Sequence, residues 1–169
     1  ALEDDTAAAT LLIRRLGLRV GSTRDTGAEK QAYGATTLLH EHVSIDGDTV
    51  TLSFTGKKGV DIKLTTTDSD IAHALEARIK NRKPGEPLLA TTDAQVRDYV
   101  SGLLPGFKPK DFRTLLATSE ALQQVASTPT PESPKALAAA KKAIAEHVSR
   151  LLGNTPNVAL ASYIDPTVF

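Results

Sequence analysis

The sequence predicts an α+β protein in which a small three-stranded antiparallel sheet packs against a mostly helical bundle. Two observations carry this prediction. Over residues 35–65 apolar and polar side chains alternate, which is the period of a strand, whereas elsewhere apolar residues recur every three or four positions, as on one face of a helix. The chain has 169 residues, which is enough for one domain that buries a core.

The first half of the chain is predicted to form one helix and then the sheet. An alanine-rich helix over residues 5–16 should stop at Gly17. The sheet is a meander, because turn signals at Asp46-Gly47 and at residues 55–59 separate runs with strand spacing. Its strands are predicted at residues 36–45, 49–54 and 60–65.

Helix-start signals divide the second half of the chain. Asp68 is predicted to cap a helix that ends before Pro84, a second helix should run from about Thr92, and a third should cover residues 110–125. Residues 127–134 contain three prolines in eight positions, so they are predicted to form a linker rather than a helix. Two further helices should start at Ser133-Pro134 and at Thr155-Pro156, the first closed by Gly153 and the second ending at Asp165-Pro166.

Composition excludes several kinds of chemistry. Cysteine is absent, so disulfides, thiolate metal sites and a cysteine nucleophile are excluded. Lys+Arg and Asp+Glu number 20 each, and a net charge of zero does not by itself indicate a nucleic-acid-binding protein. The basic residues are nevertheless clustered, which could give one positive face, although scattered surface charge is the simpler interpretation. The clusters lie at residues 14–30, 57–63, 78–83, 108–114 and 135–150.

Several short motifs follow one another in a fixed order and resemble a known family. They are Leu16-Gly-Leu-Arg-Val-Gly-Ser22, Tyr33-Gly-Ala-Thr-Thr-Leu38, Phe54-Thr-Gly-Lys-Lys-Gly59, Lys110-Asp-Phe-Arg-Thr114, Leu152-Gly-Asn-Thr-Pro156 and Ala161-Ser-Tyr-Ile-Asp-Pro166. In this order and spacing they resemble the catalytic domain of type IB DNA topoisomerases, in the short form found in bacteria and poxviruses. The resemblance covers nearly the whole chain and implies the catalytic fold shared with tyrosine recombinases.

The resemblance implies a role for each of six residues. Tyr163 stands at the position of the nucleophile, Arg19 and Arg113 at the two active-site arginines, and Lys57 at the catalytic lysine. Lys110 matches the lysine three residues before the second arginine. Asn154 stands where many members have histidine and where the bacterial branch commonly has asparagine. We also expect DNA contacts from Arg24, Tyr33, Lys58 and Lys108.

The chemistry of these residue types, considered without the resemblance, also suits cleavage of a phosphodiester. Cleavage of a phosphodiester needs a nucleophile, neutralisation of the non-bridging oxygens and a proton for the leaving oxygen. Guanidinium groups grip phosphate bidentately, a tyrosine can attack once it loses its proton, and a protonated lysine can donate to the 5′ oxygen. His40 and His42 should share one face of a strand, but they lack a third metal ligand. We therefore predict a reaction without metal, cofactor or ATP.

Other interpretations remain open. Each residue taken alone could be an ordinary surface or packing residue, and a tyrosine recombinase or a non-catalytic DNA-binding relative would carry similar motifs. From the resemblance we expect residues 1–169 to be a single catalytic domain, a fragment that lacks the separate amino-terminal domain closing over DNA. We further expect a cytoplasmic, nucleoid-associated bacterial monomer whose partner is double-stranded DNA, with no membrane association.

Overall fold

Six helices and three strands make up the part of the chain that the computed structural model describes, residues 3–22 and 32–169. The helices are α1 (Asp5–Leu16), α2 (Ser69–Asn81), α3 (Asp93–Leu103), α4 (Pro109–Ser127), α5 (Pro134–Leu152) and α6 (Pro156–Ser162). The strands are β1 (Val43–Asp46), β2 (Thr49–Thr55) and β3 (Asp61–Thr67). The predicted α+β class is confirmed.

The helices begin where the capping signals predict. The side chain of Asp68 accepts hydrogen bonds from the N–H groups of Asp70 and Ile71, and Thr92 caps α3 in the same way. Ser133 and Thr155 cap α5 and α6, each followed by a proline at the first helical position. These signals are local, because a cap uses a side chain and an N–H only two or three residues apart.

The sheet is an antiparallel meander in the order β1-β2-β3, as predicted. Leu52 of the central strand lies opposite Val43 on one side and Leu64 on the other. Val50, Leu52 and Phe54 are buried, whereas the residues that alternate with them are less so. One face of the sheet therefore covers the core, as the two-residue period requires.

Residues 36–42 are not part of β1, and the predicted strand over residues 36–45 is too long. The Thr36 hydroxyl donates to the Val20 carbonyl, and the Thr37 hydroxyl accepts from the Gly34 N–H. Hydroxyl groups that satisfy the backbone in this way compete with a strand ladder. Residues 40–42 form a 3-10 turn, so the prediction that His40 and His42 share one strand face is wrong.

Helix α6 ends at Ser162 and not at Asp165, which leaves Tyr163 just beyond the helix. The N–H groups of Tyr163 and Ile164 both donate to the Ala159 carbonyl. The Asp165 carboxylate then accepts from the Thr167 N–H and starts a short 3-10 turn. Asp165 therefore begins a new turn instead of continuing α6.

Two groups of buried side chains form the core. The first lies between the sheet and α1, α2 and α3, and the second lies between α4, α5 and α6. Helix α1 carries residues of the first group and α4 carries residues of the second, and the two groups adjoin because these helices are in contact. Residues 128–133, between α4 and α5, form neither helix nor strand.

Asp5 joins α1 to α2 and to the segment before α3. Its carboxylate accepts from Arg78 Nε at 2.7 Å and from the Ala90 N–H at 2.8 Å. Burial raises the pKa of Asp5, but the Ala90 N–H and the Arg78 guanidinium outweigh it, and the pKa lies below its usual value. The ionised form is therefore favoured by the fold.

We expect Asp5→Asn to lower the free energy of unfolding at neutral pH by about 1–2 kcal/mol. Because the pKa is lower in the folded chain, this stabilisation is present above the unfolded pKa and is lost as the pH falls through the folded pKa. Urea unfolding of parent and variant should therefore converge below pH 3.8, the ordinary value of the group. Asp98→Asn, exposed on α3, is the control, and a constant Asp5→Asn deficit at all pH values would contradict the assignment.

Candidate active site

Arg113 lies at the centre of the candidate site and is 3% exposed. Its Nε donates to the Gly17 carbonyl at 2.8 Å, and its Nη2 donates to the Leu152 carbonyl at 2.7 Å. Its Nη1 donates to the Tyr163 hydroxyl at 2.8 Å. The two carbonyls lie at the C-terminal ends of α1 and α5, where a positive charge is favourable. Arg113 therefore joins three separate elements at one point.

Glycine is favoured at the two helix ends that Arg113 holds, because both have positive φ. Gly17 and Gly153 both have left-handed backbones, with φ of 68° and 65°. A Cβ on Gly17 would lie 2.7 Å from Leu116 Cδ2, and one on Gly153 would lie 2.9 Å from Ile62 Cδ1. Both chain reversals depend on a residue without a side chain.

Tyr163 is buried between two cationic side chains of α4. The Arg113 guanidinium carbon lies 4.7 Å from the centre of the tyrosine ring, and Lys110 Nζ lies 5.4 Å from it. Lys110 and Arg113 are three positions apart on α4, which places them on the same face. The structure therefore brings together Lys110, Arg113 and Tyr163, and it places the tyrosine hydroxyl beside a guanidinium.

Arg19 lies in the extended segment after α1, near enough for its charge to affect the pKa of Arg113. Its carbonyl accepts from the Ala35 N–H at 2.9 Å, which fixes the segment against residues 34–36. Burial and the neighbouring Arg19 charge lower the pKa of Arg113 to about 10, against an opposing effect of Tyr163. Arg113 still carries its charge at neutral pH. In the described part of the chain no carboxylate pairs with either arginine.

Asn154 follows Gly153 and presents an unpaired carboxamide. Its backbone N–H donates to the Ser149 carbonyl, but its side-chain Oδ1 and Nδ2 are both buried without a hydrogen-bond partner. Buried polar atoms are nearly always paired, so an unpaired amide two residues after Leu152, whose carbonyl binds Arg113, suits a bound ligand. The Nδ2 group can donate to an oxygen atom, and Oδ1 can accept from a cation.

Lys57 and Lys58 are exposed in the turn between β2 and β3. No hydrogen bond, ion pair or ring contact joins Lys57 to Arg113 or Tyr163 within the described residues. The base of the hairpin is nevertheless close to the Asn154 turn, because Ile62 packs against both Gly56 and Gly153. The structure thus places the hairpin next to the centre and its lysine tip outside it.

The predicted DNA-binding residues have different surroundings. Tyr33 is half-buried, and its ring lies edge-to-face against the His42 ring, with 4.4 Å between the ring centres. Lys108 is exposed before α4 and lines a groove with Lys110 and Arg97. Lys58 is exposed at the hairpin tip, and Arg24 lies outside the described residues.

The clustered basic charge is partly neutralised by the fold. Arg15 pairs with Asp68 and Asp70, and Arg78 pairs with Asp5. Arg15 and Arg78, which belong to two of the basic clusters, therefore contribute less free positive charge than composition alone suggests.

Two structural facts concern metals and membranes. Across residues 3–22 and 32–169 no three or more His, Asp or Glu side chains gather as metal ligands. Over the same residues no helix has both the length and the apolar composition to cross a membrane.

Sequence reasoning missed three partners of the centre. The carbonyls of Gly17 and Leu152 hold Arg113, and the Thr118 hydroxyl holds the backbone at Tyr163. Backbone carbonyls give no signal in a sequence, and Thr118 carries none beyond its place on the helix of Arg113.

Comparison with known proteins gives the family. Residues 1–164 match the family model described as the catalytic core of eukaryotic DNA topoisomerase I, and the chain belongs to this family. It is also 25% identical to a DNA topoisomerase 1B of Acanthamoeba polyphaga mimivirus, over 90% of this chain and 50% of the relative. The chain thus spans about half the length of the curated relative it matches. The predicted resemblance to type IB topoisomerases is confirmed, whereas a bacterial source is not supported, because this relative is viral.

We expect Arg113→Ala to lower both stability and DNA cleavage. Removing the guanidinium leaves the carbonyls of Gly17 and Leu152 buried without donors, which should cost about 2–4 kcal/mol of unfolding free energy. Because the resemblance places Arg113 at an active-site arginine, we expect loss of its charge to slow cleavage by about 10²–10³-fold. Arg113→Lys should rescue neither property, because an ammonium lacks the planar fork that reaches three acceptors.

Urea unfolding and single-turnover cleavage measure the two effects. Arg150→Ala is the control, since Arg150 is exposed in the last turn of α5 and should change neither. An Arg113→Lys variant with the stability and rate of the parent would contradict this role.

Proposed function

We propose that this chain carries the catalytic centre of a type IB DNA topoisomerase, which cleaves one strand of duplex DNA through a covalent tyrosyl phosphate. The observation that carries the proposal is the 2.8 Å hydrogen bond from Arg113 to the buried Tyr163 hydroxyl. It lies in a centre where two guanidinium groups have no carboxylate partner among the described residues. Such a centre suits an anion that arrives at the hydroxyl.

The proposed reaction is a transesterification. The Tyr163 oxygen forms a bond to phosphorus as its proton is lost to solvent, and the bond from phosphorus to the 5′ oxygen breaks. The leaving oxygen takes a proton from Lys57, and the product is a 3′-phosphotyrosyl ester with a free 5′ hydroxyl. Because one phosphodiester replaces another, the reverse step reseals the strand without ATP, and rotation between the two steps relaxes supercoils.

The contacts of Arg113 leave part of its fork available to the phosphate. An arginine has five N–H donors. Arg113 uses one on each of its three nitrogens for Gly17, Tyr163 and Leu152, so that a second hydrogen on Nη1 and on Nη2 is left. Arg19 would supply the second cation, and Lys110 a further donor near the ring. The hydrogen bond from Nη1 also favours the oxyanion that Tyr163 becomes as it attacks.

Asn154 is assigned a hydrogen bond to a non-bridging oxygen, and this makes a separate prediction. Asn154→Ala should slow cleavage by about tenfold, less than loss of either arginine, because an uncharged amide donor stabilises a phosphate oxygen less than a guanidinium cation does. Stability of the free protein should not fall, since both side-chain polar atoms are buried without partners. Asn154→His should retain activity. Single-turnover cleavage and urea unfolding test this, and equal losses for Asn154→Ala and Arg19→Ala would contradict it.

The acting unit in this proposal is a monomer on double-stranded DNA. A separate amino-terminal domain that closes over the DNA from the opposite side is part of it.

Incubation with supercoiled plasmid in EDTA and without ATP tests the function. Relaxation of the plasmid supports the proposal. Strand exchange between defined sites would instead indicate a tyrosine recombinase, and binding without any change in topology or any covalent adduct would indicate a non-catalytic relative. A second assay uses a nicked or suicide substrate, which traps the covalent product. It detects cleavage even if the chain cannot relax plasmid without the amino-terminal domain.

A further inference from the structure

The backbone at Tyr163 is held by a hydroxyl from α4. Thr118 Oγ1 donates to the Tyr163 carbonyl at 3.2 Å and accepts from the Asp165 N–H at 3.1 Å. Arg113 holds the other end of the same residue, through the tyrosine hydroxyl. Thr118 and Arg113 lie five positions apart on α4, which is about 7.5 Å along a helix axis. One rigid helix therefore fixes Tyr163 at its main chain and at its reacting atom.

Tyr163 needs such support because it lies beyond the end of α6. Its φ and ψ are −130° and −35°, which are not helical values, so its carbonyl does not continue the helix. A threonine within a helix commonly bonds a carbonyl three or four residues earlier on its own helix. The Thr118 hydroxyl instead crosses to the chain at Tyr163 and Asp165 and bonds on both sides of Ile164.

We propose that Thr118 is a positioning residue for the Tyr163 nucleophile. This inference rests on the proposed function, in which Tyr163 attacks a phosphodiester. The ring acts as a lever, so a small rotation of the backbone at Tyr163 moves the hydroxyl much further. A reacting atom that is misplaced by about 1 Å can lose about 10²-fold in rate. The Thr118 hydroxyl both donates and accepts a hydrogen bond. Serine keeps both bonds, because it carries the same hydroxyl group, whereas valine keeps neither.

The test compares Thr118→Val, which has the same shape without hydrogen bonds, with Thr118→Ser, which keeps the hydroxyl. Single-turnover formation of the covalent adduct is measured on a suicide substrate, together with DNA affinity and thermal unfolding. Thr118→Val should slow cleavage by about 30–100-fold with DNA affinity within about twofold of the parent. Thr118→Ser should stay within about threefold of it. Ser119→Ala, exposed at the next position of α4, is the matched control and should equal the parent.

A second substrate separates positioning from other roles. When sulfur replaces the bridging 5′ oxygen, the leaving group no longer needs a proton, but the nucleophile must still be aligned. Thr118→Val should therefore be slowed by the same factor, relative to the parent, on the oxygen substrate and on the sulfur substrate. Parental rates for Thr118→Val, a failure of Thr118→Ser to restore the rate, or slowing on the oxygen substrate alone would each overturn the inference.

A folding defect of the variants and a failure of the proposed function can both be told apart from a loss of positioning. Thr118→Ala serves if valine impairs folding, and melting of both variants below the assay temperature would show a structural role instead of positioning. If the parent forms no adduct, or if Tyr163→Phe still forms one, the proposed function fails, and the inference about Thr118 fails with it.

Discussion

Tyr163→Phe should form no covalent adduct with nicked or suicide DNA, while it binds DNA nearly as tightly as the parent. The substitution removes the one atom that would attack phosphorus and keeps the ring that packs between Lys110 and Arg113. Arg113 loses one hydrogen bond but keeps those to Gly17 and Leu152. Stability should therefore change by no more than about 1 kcal/mol, the usual net contribution of one hydrogen bond.

Denaturing gel electrophoresis of the protein–DNA adduct, with a binding assay beside it, gives both readouts. Tyr99→Phe is the matched control, because Tyr99 is 37% exposed on α3 and should form the adduct at the parental rate. An adduct from the Tyr163→Phe variant would show that another residue is the nucleophile. Loss of DNA binding along with the adduct would contradict the prediction that Tyr163→Phe abolishes cleavage without weakening DNA binding.

The parts of the fold that sequence predicted are those that depend on nearby residues. Ser133 and Thr155 cap their helices through hydrogen bonds to N–H groups three residues later, so the starts of α5 and α6 could be predicted from the sequence. The start of β1 was not, because residues 36–42 are shaped by bonds to distant groups. Thr36 bonds the Val20 carbonyl, and the Leu38 carbonyl accepts from the Leu88 N–H.

The candidate site shows the same division. The resemblance assigns Lys110, Arg113 and Tyr163 to one site, and the structure places both cations beside the Tyr163 ring. That Arg113 holds the Gly17 and Leu152 carbonyls could not be predicted, because they lie 96 and 39 positions away along the chain. The unpaired amide of Asn154 was equally invisible, because burial without a partner is a property of the packed structure.

Lys57→Ala should slow cleavage of ordinary DNA by about 10²–10⁴-fold, the usual range for loss of a general acid. Lysine is protonated at neutral pH and can donate to the leaving 5′ oxygen. The hairpin can deliver it, because Lys57 is exposed at the tip while Ile62 seats the base against Gly153. The tip is thus free to meet DNA beside the Asn154 turn. Single-turnover cleavage on a suicide substrate measures the loss.

A substrate with sulfur in place of the bridging 5′ oxygen identifies the step. A thiolate leaves without a proton, so Lys57→Ala should cleave this substrate at close to the parental rate, whereas Arg19→Ala should stay slow on it. Lys58→Ala is the matched control. It should change the cleavage step little, even if it weakens DNA binding, because adjacent side chains point in different directions. If Lys57→Ala is equally slow on both substrates, Lys57 acts on phosphate charge or on binding. The acid would then be Lys110, whose ammonium already lies 5.4 Å from the centre of the Tyr163 ring.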